Sequence, residues 1–200
     1  MKQLAVQMVG FTMVAQASAA GLDLTRVIAV SPVLEPVATL AVLQRGMPGY
    51  EAYFVRKWLR SLRKKQAAWP DIYDFAPLAR LRDLKLMTAE LVRSYTDFPT
   101  LDHYLHGYAI TGERLARLEV PSTILTSVDD PIIPASGLAQ LARTPALSLT
   151  VTRYGGHCGF FDQLRGPTWL ERRIMGLLGG GAGGSLVDGE EVATELRETS

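Results

Sequence analysis

The sequence predicts an α/β fold in which a mostly parallel sheet is flanked by helices. From residue 121 to residue 178 the chain alternates strand, loop, helix, strand, loop and helix. An earlier β-rich run at residues 26–31 ends at Pro32 and is typical of a buried strand. Alternation of strands with helices builds a parallel sheet covered by helices.

Composition sets the outer limits on function. The 200 residues carry 48% apolar and 20% charged side chains and a net charge of +1, which favours one globular domain and argues against a nucleic-acid partner. The single cysteine excludes an internal disulfide, and three histidines are too few to suggest a histidine-rich metal site. No apolar run is long enough to span a bilayer. We therefore expect a cytoplasmic protein without a metal or an organic cofactor.

The middle of the chain is predicted to be helical. Three helices are expected, at 37–45, 49–66 and 77–93, and short helices are expected between 95 and 118. In the second helix an apolar stripe contains Val55, Trp58, Leu59 and Leu62, and a second stripe is basic. The basic segment contains Arg56, Lys57, Arg60, Arg63, Lys64 and Lys65.

The C-terminal elements follow in a regular order. Strands are predicted at 121–128 and 147–153 with a helix at 135–142 between them. The loop YGGHCGF leads to a helix at 167–178, and Pro167 suits the first turn of that helix. Residues 179–184 contain five glycines, and the remaining sequence is acidic and poor in aromatic residues. We predict that the folded part is 1–178 and that 179–200 is a flexible linker with a disordered tail.

The N-terminal stretch MVGFTMV, residues 8–14, has three interpretations. Lys2, the apolar run 4–14 and the small residues 17–19 are features of a secretory signal peptide, although Gln3 and Gln7 interrupt the apolar run. The alternatives are a strand, LAVQMV, that enters a tight turn, and a stray start without a clear structural meaning. Cleavage of a leader would remove this turn from the folded domain, so the choice affects the function.

Two polar residues follow neighbouring strands of the predicted sheet. Asp130 comes after the strand at 121–128, and His157 comes after the strand at 147–153. The carboxyl ends of parallel strands meet at one edge of a sheet, so the two side chains should lie close together. A carboxylate beside an imidazole orients the ring and stabilises its protonated form, which is useful when a nucleophile is within reach. Taken singly, Asp130 could simply stabilise a turn and His157 could be an ordinary loop histidine.

The segment VPSTILTSVDDPIIP, followed by a strand and GGHCGF, resembles the acid and histidine loops of the α/β-hydrolase fold. Together with VIAVSPVLEP, YEAYFVRKWLRSLRKK, YDFAPLARLRDL and WLERRI, it is similar to the branch that contains bacterial short-chain carboxylesterases and eukaryotic monoacylglycerol lipases. The resemblance covers roughly residues 22–178. It implies the C-terminal part of an α/β-hydrolase domain, with a helical cap insertion at about 37–118.

The resemblance also implies roles for residues. Asp130 corresponds to the orienting acid and His157 to the general base, and Asp129 is the less favoured acid. The implied substrate is a small ester or acylglycerol, and no cofactor is expected. The family places its serine in G-x-S-x-G on a strand-to-helix turn. This chain has G-F-T-M-V at 10–14, in which Thr12 replaces the serine and Val14 replaces the second glycine.

Three further serines do not lie in a G-x-S-x-G motif. They are Ser18, Ser31 and Ser136, and they are interpreted as helix or strand-end residues. Two functions therefore remain open. The first is a carboxylic ester hydrolase whose sequence is truncated ahead of the degenerate elbow, and the second is an inactive remnant or ligand-binding scaffold. The resemblance favours strand and turn over signal peptide at residues 8–14.

A basic helix, four aromatic residues, the single cysteine and two histidines are weaker candidates for a functional role. The basic helix 56–65 is either a solvated face of the cap or a weak contact with an anionic membrane surface. Aromatic residues could line an acyl pocket or pack in the core, namely Phe54, Trp58, Trp69 and Phe75. Cys158 is expected to be a small packed residue. His103 and His106 are one helical turn apart but have no evident third metal ligand.

Overall fold

The computed structural model describes residues 3–7, 24–46 and 48–179, the first of these ranges by its backbone alone. The chain divides into two compact units. One contains the described residues up to Glu35 and from Ala109 onwards, and the other is Pro36–Tyr108. The predicted elbow at 10–14 and residues 180–200 of the predicted tail at 179–200 lie outside the described residues.

The first unit is built on a four-stranded sheet in which every neighbouring pair is parallel. The strands are adjacent in the same order as in the sequence, and they are β1 (Gln3–Gln7), β2 (Leu24–Val30), β3 (Ser122–Ser127) and β4 (Leu147–Thr152). The predicted parallel sheet flanked by helices is therefore confirmed. All four carboxyl ends lie at one edge, which is where the predicted polar pair should meet.

The strongest burial is in β3, where all six residues are buried although four of them are serine or threonine. Ile124 and Leu125 are 0% exposed and point to opposite faces, because side chains alternate along a strand. The polar side chains are accommodated by local hydrogen bonds, as when Ser122 Oγ donates to the carbonyl of Val120 at 2.8 Å. Continuous burial identifies β3 as a central strand covered on both faces.

Two apolar clusters cover the sheet. Ile124 and Val151 belong to the larger cluster, to which residues 109–120 contribute Ile110, Leu115, Leu118 and Val120. Leu125 belongs to the smaller cluster, against which α5 (Trp169–Leu178) packs Trp169, Leu170, Ile174 and Leu177. Residues 109–118 therefore pack with the sheet, whereas the sequence assigned them to the helical insertion. A backbone hydrogen bond of 2.9 Å from Ile110 N–H to the carbonyl of Leu34 holds this segment there.

The second unit is helical. Its helices are α1 (Pro36–Arg45), α2 (Tyr50–Ala68), α3 (Leu84–Tyr95) and α4 (Leu101–Tyr108). Its core contains Val55 and Leu59 of α2 with Leu84 and Met87 of α3. Among the described residues of both units, we find no helix of the length and apolarity that crossing a membrane requires.

The predicted helix 77–93 is broken. A 3₁₀ turn at Leu78–Arg80 is followed by a new helix start at Asp83, because the Asp83 carboxylate accepts a hydrogen bond from Leu86 N–H at 2.8 Å. An aspartate in this position satisfies one of the free N–H groups of a first helical turn. Periodicity alone did not reveal this cap.

Two other helices also differ from the prediction. The element predicted at 135–142 is a 3₁₀ helix at Ala135–Gln140. The last helix begins at Trp169 rather than at Pro167, because Thr168 and Glu171 form a capping box. In this arrangement each side chain accepts a hydrogen bond from the other residue's backbone, which fixes the start of the helix.

The double role of Asp83 gives a stability prediction. Its second oxygen accepts a hydrogen bond from Gln44 Nε2 at 3.1 Å, so the carboxylate both caps α3 and connects it to α1. Asp83→Ala should lower the free energy of unfolding by about 1–2 kcal/mol in urea titrations. Asp97→Ala removes an exposed carboxylate of the same unit and is the matched control. Equal stabilities of the two variants would contradict the assigned role of Asp83.

Candidate active site

Asp130 and His157 meet at the carboxyl edge of the sheet. Asp130 Oδ2 lies 2.9 Å from His157 Nδ1, although 27 positions separate the residues. The Asp130 side chain is 0% exposed, and the imidazole is 29% exposed. The sequence prediction that these two residues would be neighbours thus agrees with the geometry.

The second oxygen of Asp130 is held by its own turn. Oδ1 accepts hydrogen bonds from the backbone N–H groups of Ile132 and Ile133, at 2.8 and 2.9 Å. The sequence left open whether Asp130 stabilises a turn or orients a histidine. The structure has both interactions at once, one on each oxygen, so the turn fixes the carboxylate in the position from which it reaches the ring.

These contacts also decide the charge of Asp130. Burial acts to raise the pKa of the carboxyl group. The hydrogen bond from His157 and the two backbone N–H groups act in the opposite direction and prevail, so the pKa lies below its ordinary value. An ionised carboxylate can only accept hydrogen bonds, so Nδ1 of His157 is the donor. The other ring nitrogen, Nε2, is then free of the carboxylate and can accept a proton.

The histidine loop approaches β3 closely. A Cβ atom on Gly155 would lie 2.6 Å from the ring of Phe160 and 3.1 Å from Cβ of Ser127, so only glycine fits there without a shift. Gly156 has a φ of +56°. Cys158 and Phe160 also have positive φ angles, +65° and +48°, which are costly for residues with a side chain. The loop therefore has a strained and specific backbone.

Two more residues at the end of β3 hold the same loop, and sequence reasoning missed their role. The Asp129 carboxylate accepts a hydrogen bond from Gly156 N–H at 2.8 Å. Ser127 Oγ donates to the carbonyl of Gly156 at 2.9 Å. Asp129, which was the less favoured acid, thus contacts the backbone of the loop while Asp130 contacts the ring. The only signal in the sequence was the pair of adjacent aspartates.

The neighbouring cysteine is part of the packing. Cys158 is half-buried and lies against the smaller apolar cluster of the sheet. Burial raises the pKa of its thiol above the ordinary value, so the sulfur is less readily ionised. This agrees with the interpretation of Cys158 as a small packed residue rather than a reactive thiolate.

The other histidines and the hydroxyl residues considered as site residues have environments of their own. His103 Nδ1 lies 2.8 Å from the Thr100 hydroxyl, and His106 Nδ1 lies 2.9 Å from the carbonyl of Asp102. In the described ranges no group of three potential ligands could hold a metal ion. Ser136 is exposed on the 3₁₀ helix, and Ser31 directly follows β2. Thr12, Val14 and Ser18 lie outside the described residues.

The aromatic residues proposed for an acyl pocket have different environments. Phe75 is buried and stacks with Tyr73. Phe54 packs against the core of the helical unit. Trp58 and Trp69 are exposed. Core packing therefore accounts for Phe75 and Phe54.

The site and the sheet define a class of protein. It is a parallel α/β protein with an ionised aspartate and a histidine paired at the carboxyl edge of its sheet. A carboxylate that orients an imidazole is one of the contacts found in hydroxyl-activating triads. The arrangement can accept a proton at Nε2 and stabilise the resulting imidazolium.

Comparison with known proteins finds similarity to a curated abhydrolase domain-containing protein and, at low identity, to several solved structures. No protein-family model matches the chain. An abhydrolase domain-containing protein of Dictyostelium discoideum is 26% identical over 102 residues, which cover 46% of this chain and 25% of that protein. The chain thus spans a quarter of the curated relative it matches. This similarity confirms the resemblance to the α/β-hydrolase superfamily.

Several solved structures are also similar at low identity. Carboxylesterase CesB of Bacillus subtilis has a TM-score of 0.42 and 17% identity, over 90% of this chain and 61% of its own. The monoacylglycerol lipase of Paleococcus ferrophilus has a TM-score of 0.40 and 16% identity, over 88% and 66%. Candida antarctica lipase A has a TM-score of 0.41 and 15% identity, over 83% and 42%. Similarities at this level carry no conclusion about activity.

The lowered pKa of Asp130 predicts a pH-dependent contribution to stability. The folded state favours the ionised carboxylate, so its contribution is present above the unfolded pKa of about 3.9 and is lost as pH falls through the lower folded pKa. Asp130→Asn should therefore be about 1–2 kcal/mol less stable than the wild type near neutral pH, with a smaller difference below pH of about 4. Urea unfolding at several pH values measures this difference.

The control for this experiment is Asp71→Asn, which removes an exposed carboxylate. It should match the wild type at every pH. A destabilisation by Asp130→Asn that does not change with pH would contradict an ionised Asp130 in the folded protein.

Proposed function

We propose that the chain acts in carboxylic ester hydrolysis of the serine-hydrolase type, on a small ester or acylglycerol. The observation that carries the proposal is the contact of 2.9 Å between His157 Nδ1 and the buried Asp130 carboxylate. The similarity to an abhydrolase domain-containing protein supports the same class of reaction.

The proposed chemistry uses His157 as general base. A hydroxyl group attacks the ester carbonyl only when its proton is removed, and Nε2 of His157 would take that proton. The ring then becomes an imidazolium beside Asp130, whose ionised carboxylate stabilises the positive charge. When the tetrahedral intermediate collapses, the same nitrogen would return the proton to the departing alcohol, which leaves the acyl group on the hydroxyl oxygen. A water molecule deprotonated by Nε2 would then attack this acyl group, release the carboxylic acid and restore the hydroxyl. No metal or organic cofactor takes part in this scheme.

The family's serine is absent from this chain, and the candidate nucleophile is the Thr12 hydroxyl. By its resemblance to the family pattern, Thr12 in G-F-T-M-V occupies the position of the serine. Threonine hydroxyls act as nucleophiles when a base is adjacent, but the extra methyl group restricts rotation about the Cα–Cβ bond. The alternative proposal, a binding scaffold without catalysis, is favoured by the same two replacements, Thr12 and Val14.

A fluorophosphonate probe separates the two proposals, because it reacts covalently with an activated hydroxyl. We expect labelling of the wild type, faster labelling of Thr12→Ser and none of Thr12→Val. His157→Gln should slow labelling by about 10²–10⁴-fold, which is the usual contribution of a general base. Hydrolysis of a short-chain p-nitrophenyl ester should follow the same order.

The control is His103→Gln, because His103 is exposed in the helical unit and contacts only Thr100 there among the hydrogen bonds described. It should label at the wild-type rate. If neither the wild type nor Thr12→Ser is labelled while both are folded, the hydrolase proposal is wrong and the scaffold proposal remains.

We also propose a weak contact between α2 and an anionic membrane surface. The helix contains six basic residues and a single acid, Glu51, whose carboxylate accepts a hydrogen bond from Leu84 N–H at 3.0 Å. All six basic residues are exposed, namely Arg56, Lys57, Arg60, Arg63, Lys64 and Lys65. Within the described ranges the structure gives these six no ion pair, and Lys57 and Lys65 lie over the rings of Tyr53 and Tyr73. Exposed cations without an ion pair, on a helix whose C-cap is the exposed Trp69, favour an anionic lipid headgroup region.

Vesicle sedimentation tests this contact. The wild type should bind phosphatidylcholine vesicles that contain phosphatidylserine, and should bind pure phosphatidylcholine vesicles much more weakly. Replacing Arg60 and Lys64 with glutamine should weaken binding by roughly tenfold or more, since each basic residue near a charged surface contributes about 1 kcal/mol. High salt should have the same effect on the wild type.

The charge-matched control replaces Arg143 and Arg165, two exposed cations outside α2, with glutamine. Equal losses in the two double variants would contradict a specific role of α2. Binding to single-stranded RNA in preference to the anionic vesicles would also overturn the membrane proposal.

A further inference from the structure

Gly156, the residue that precedes His157, is held at both of its backbone polar groups. Asp129 accepts a hydrogen bond from the N–H of Gly156, and Ser127 donates one to the carbonyl of Gly156. The next residue along, His157, is held through its ring by Asp130. Three residues at the end of one strand thus fix two consecutive residues of the neighbouring loop.

We propose that Asp129 is a positioning residue for His157, acting through the backbone of Gly156. The inference has a structural part and a catalytic part, and only the catalytic part rests on the proposed function. Its structural part is that the Asp129 carboxylate sets the position of the histidine loop, and hence the geometry of the hydrogen bond between His157 and Asp130.

The loop needs such a restraint because its backbone is not held by regular secondary structure. β4 ends at Thr152, and Gly156 and Cys158 have left-handed φ angles of +56° and +65°. Glycine has many other conformations of similar energy, and a cysteine with positive φ relaxes readily to a negative value. Without an external bond the loop would occupy several conformations, and the ring would meet Asp130 in only some of them.

The charge of Asp129 suits this task. A hydrogen bond from a backbone N–H to a carboxylate is shorter and stronger than one to a neutral acceptor. The Asp129 contact lies at the exposed surface, whereas the Ser127 side chain is fully buried. Loss of Asp129 should therefore affect the position of the loop more than the packing of the sheet, and loss of Ser127 should affect both.

NMR of the imidazole protons in the intact chain tests the structural part without any requirement for activity. In the wild type the Nδ1 proton of His157 should exchange slowly with water, because it is bonded to Asp130. Asp129→Ala should raise this exchange rate roughly ten- to hundredfold, the loss expected for one hydrogen bond to a charged group. Asp129→Asn keeps an oxygen acceptor for Gly156 N–H and should largely retain the slow exchange.

Glu119→Ala is the matched control, because Glu119 is an exposed acid just before the opposite end of β3. Its exchange rate should equal that of the wild type. Ser127→Ala, which removes the second bond to Gly156, should also raise the rate and gives an independent readout if Asp129→Ala does not fold. Exchange in both variants at the wild-type rate would overturn the proposal.

Labelling kinetics test the catalytic consequence separately. Asp129→Ala should slow fluorophosphonate labelling about tenfold or more, and Asp129→Asn should restore most of the rate. If no form of the chain is labelled, the hydrolase proposal fails while the exchange measurement still decides whether Asp129 positions His157. If labelling occurs and Asp129→Ala does not change its rate, the positioning role in catalysis is wrong.

Discussion

The parallel register between β3 and β4 is the constraint on which the site depends. Ser127 pairs with Thr152, and Val128 N–H continues the pairing to the carbonyl of Thr152 at 2.9 Å. Both strands therefore end at the same level, and the segments that follow them leave the sheet side by side. A register shift of one residue would turn the polar residues at the end of β3 to the other face and separate them from the loop. Strand pairing thus brings the His157 loop beside the segment that follows β3, and the side chains of that segment then hold the loop and the ring.

The buried charge on Asp130 is tolerated because each oxygen is satisfied. Burial of an unpaired carboxylate costs several kcal/mol, and such a group normally becomes protonated instead. Here two backbone N–H groups bind one oxygen and His157 binds the other. The pair is therefore polarised even without substrate, since a permanent negative charge faces one side of the imidazole.

Sequence reasoning succeeded where the signal was a property of the whole sheet and failed where it was local. The parallel sheet and the meeting of Asp130 with His157 follow from alternation of strands and helices, which sets the edge that each loop occupies. The break before Asp83 and the start of α5 at Trp169 depend on single side chains that cap helices, and periodicity averages over them. The role of Asp129 depends on which way one of two adjacent carboxylates points, and spacing alone does not encode that direction.

The cost of the histidine loop bears on the choice between a catalyst and an inactive remnant. Cys158 and Phe160 both have left-handed backbone angles, and each such residue costs of the order of 1 kcal/mol or more. The adjacent ionised carboxylate is buried as well, which adds a desolvation cost that an apolar residue would not carry. A sequence selected for packing alone gains nothing from strain and buried charge at one edge of its sheet. Their coincidence around His157 favours a role in which this ring accepts a proton or binds a ligand.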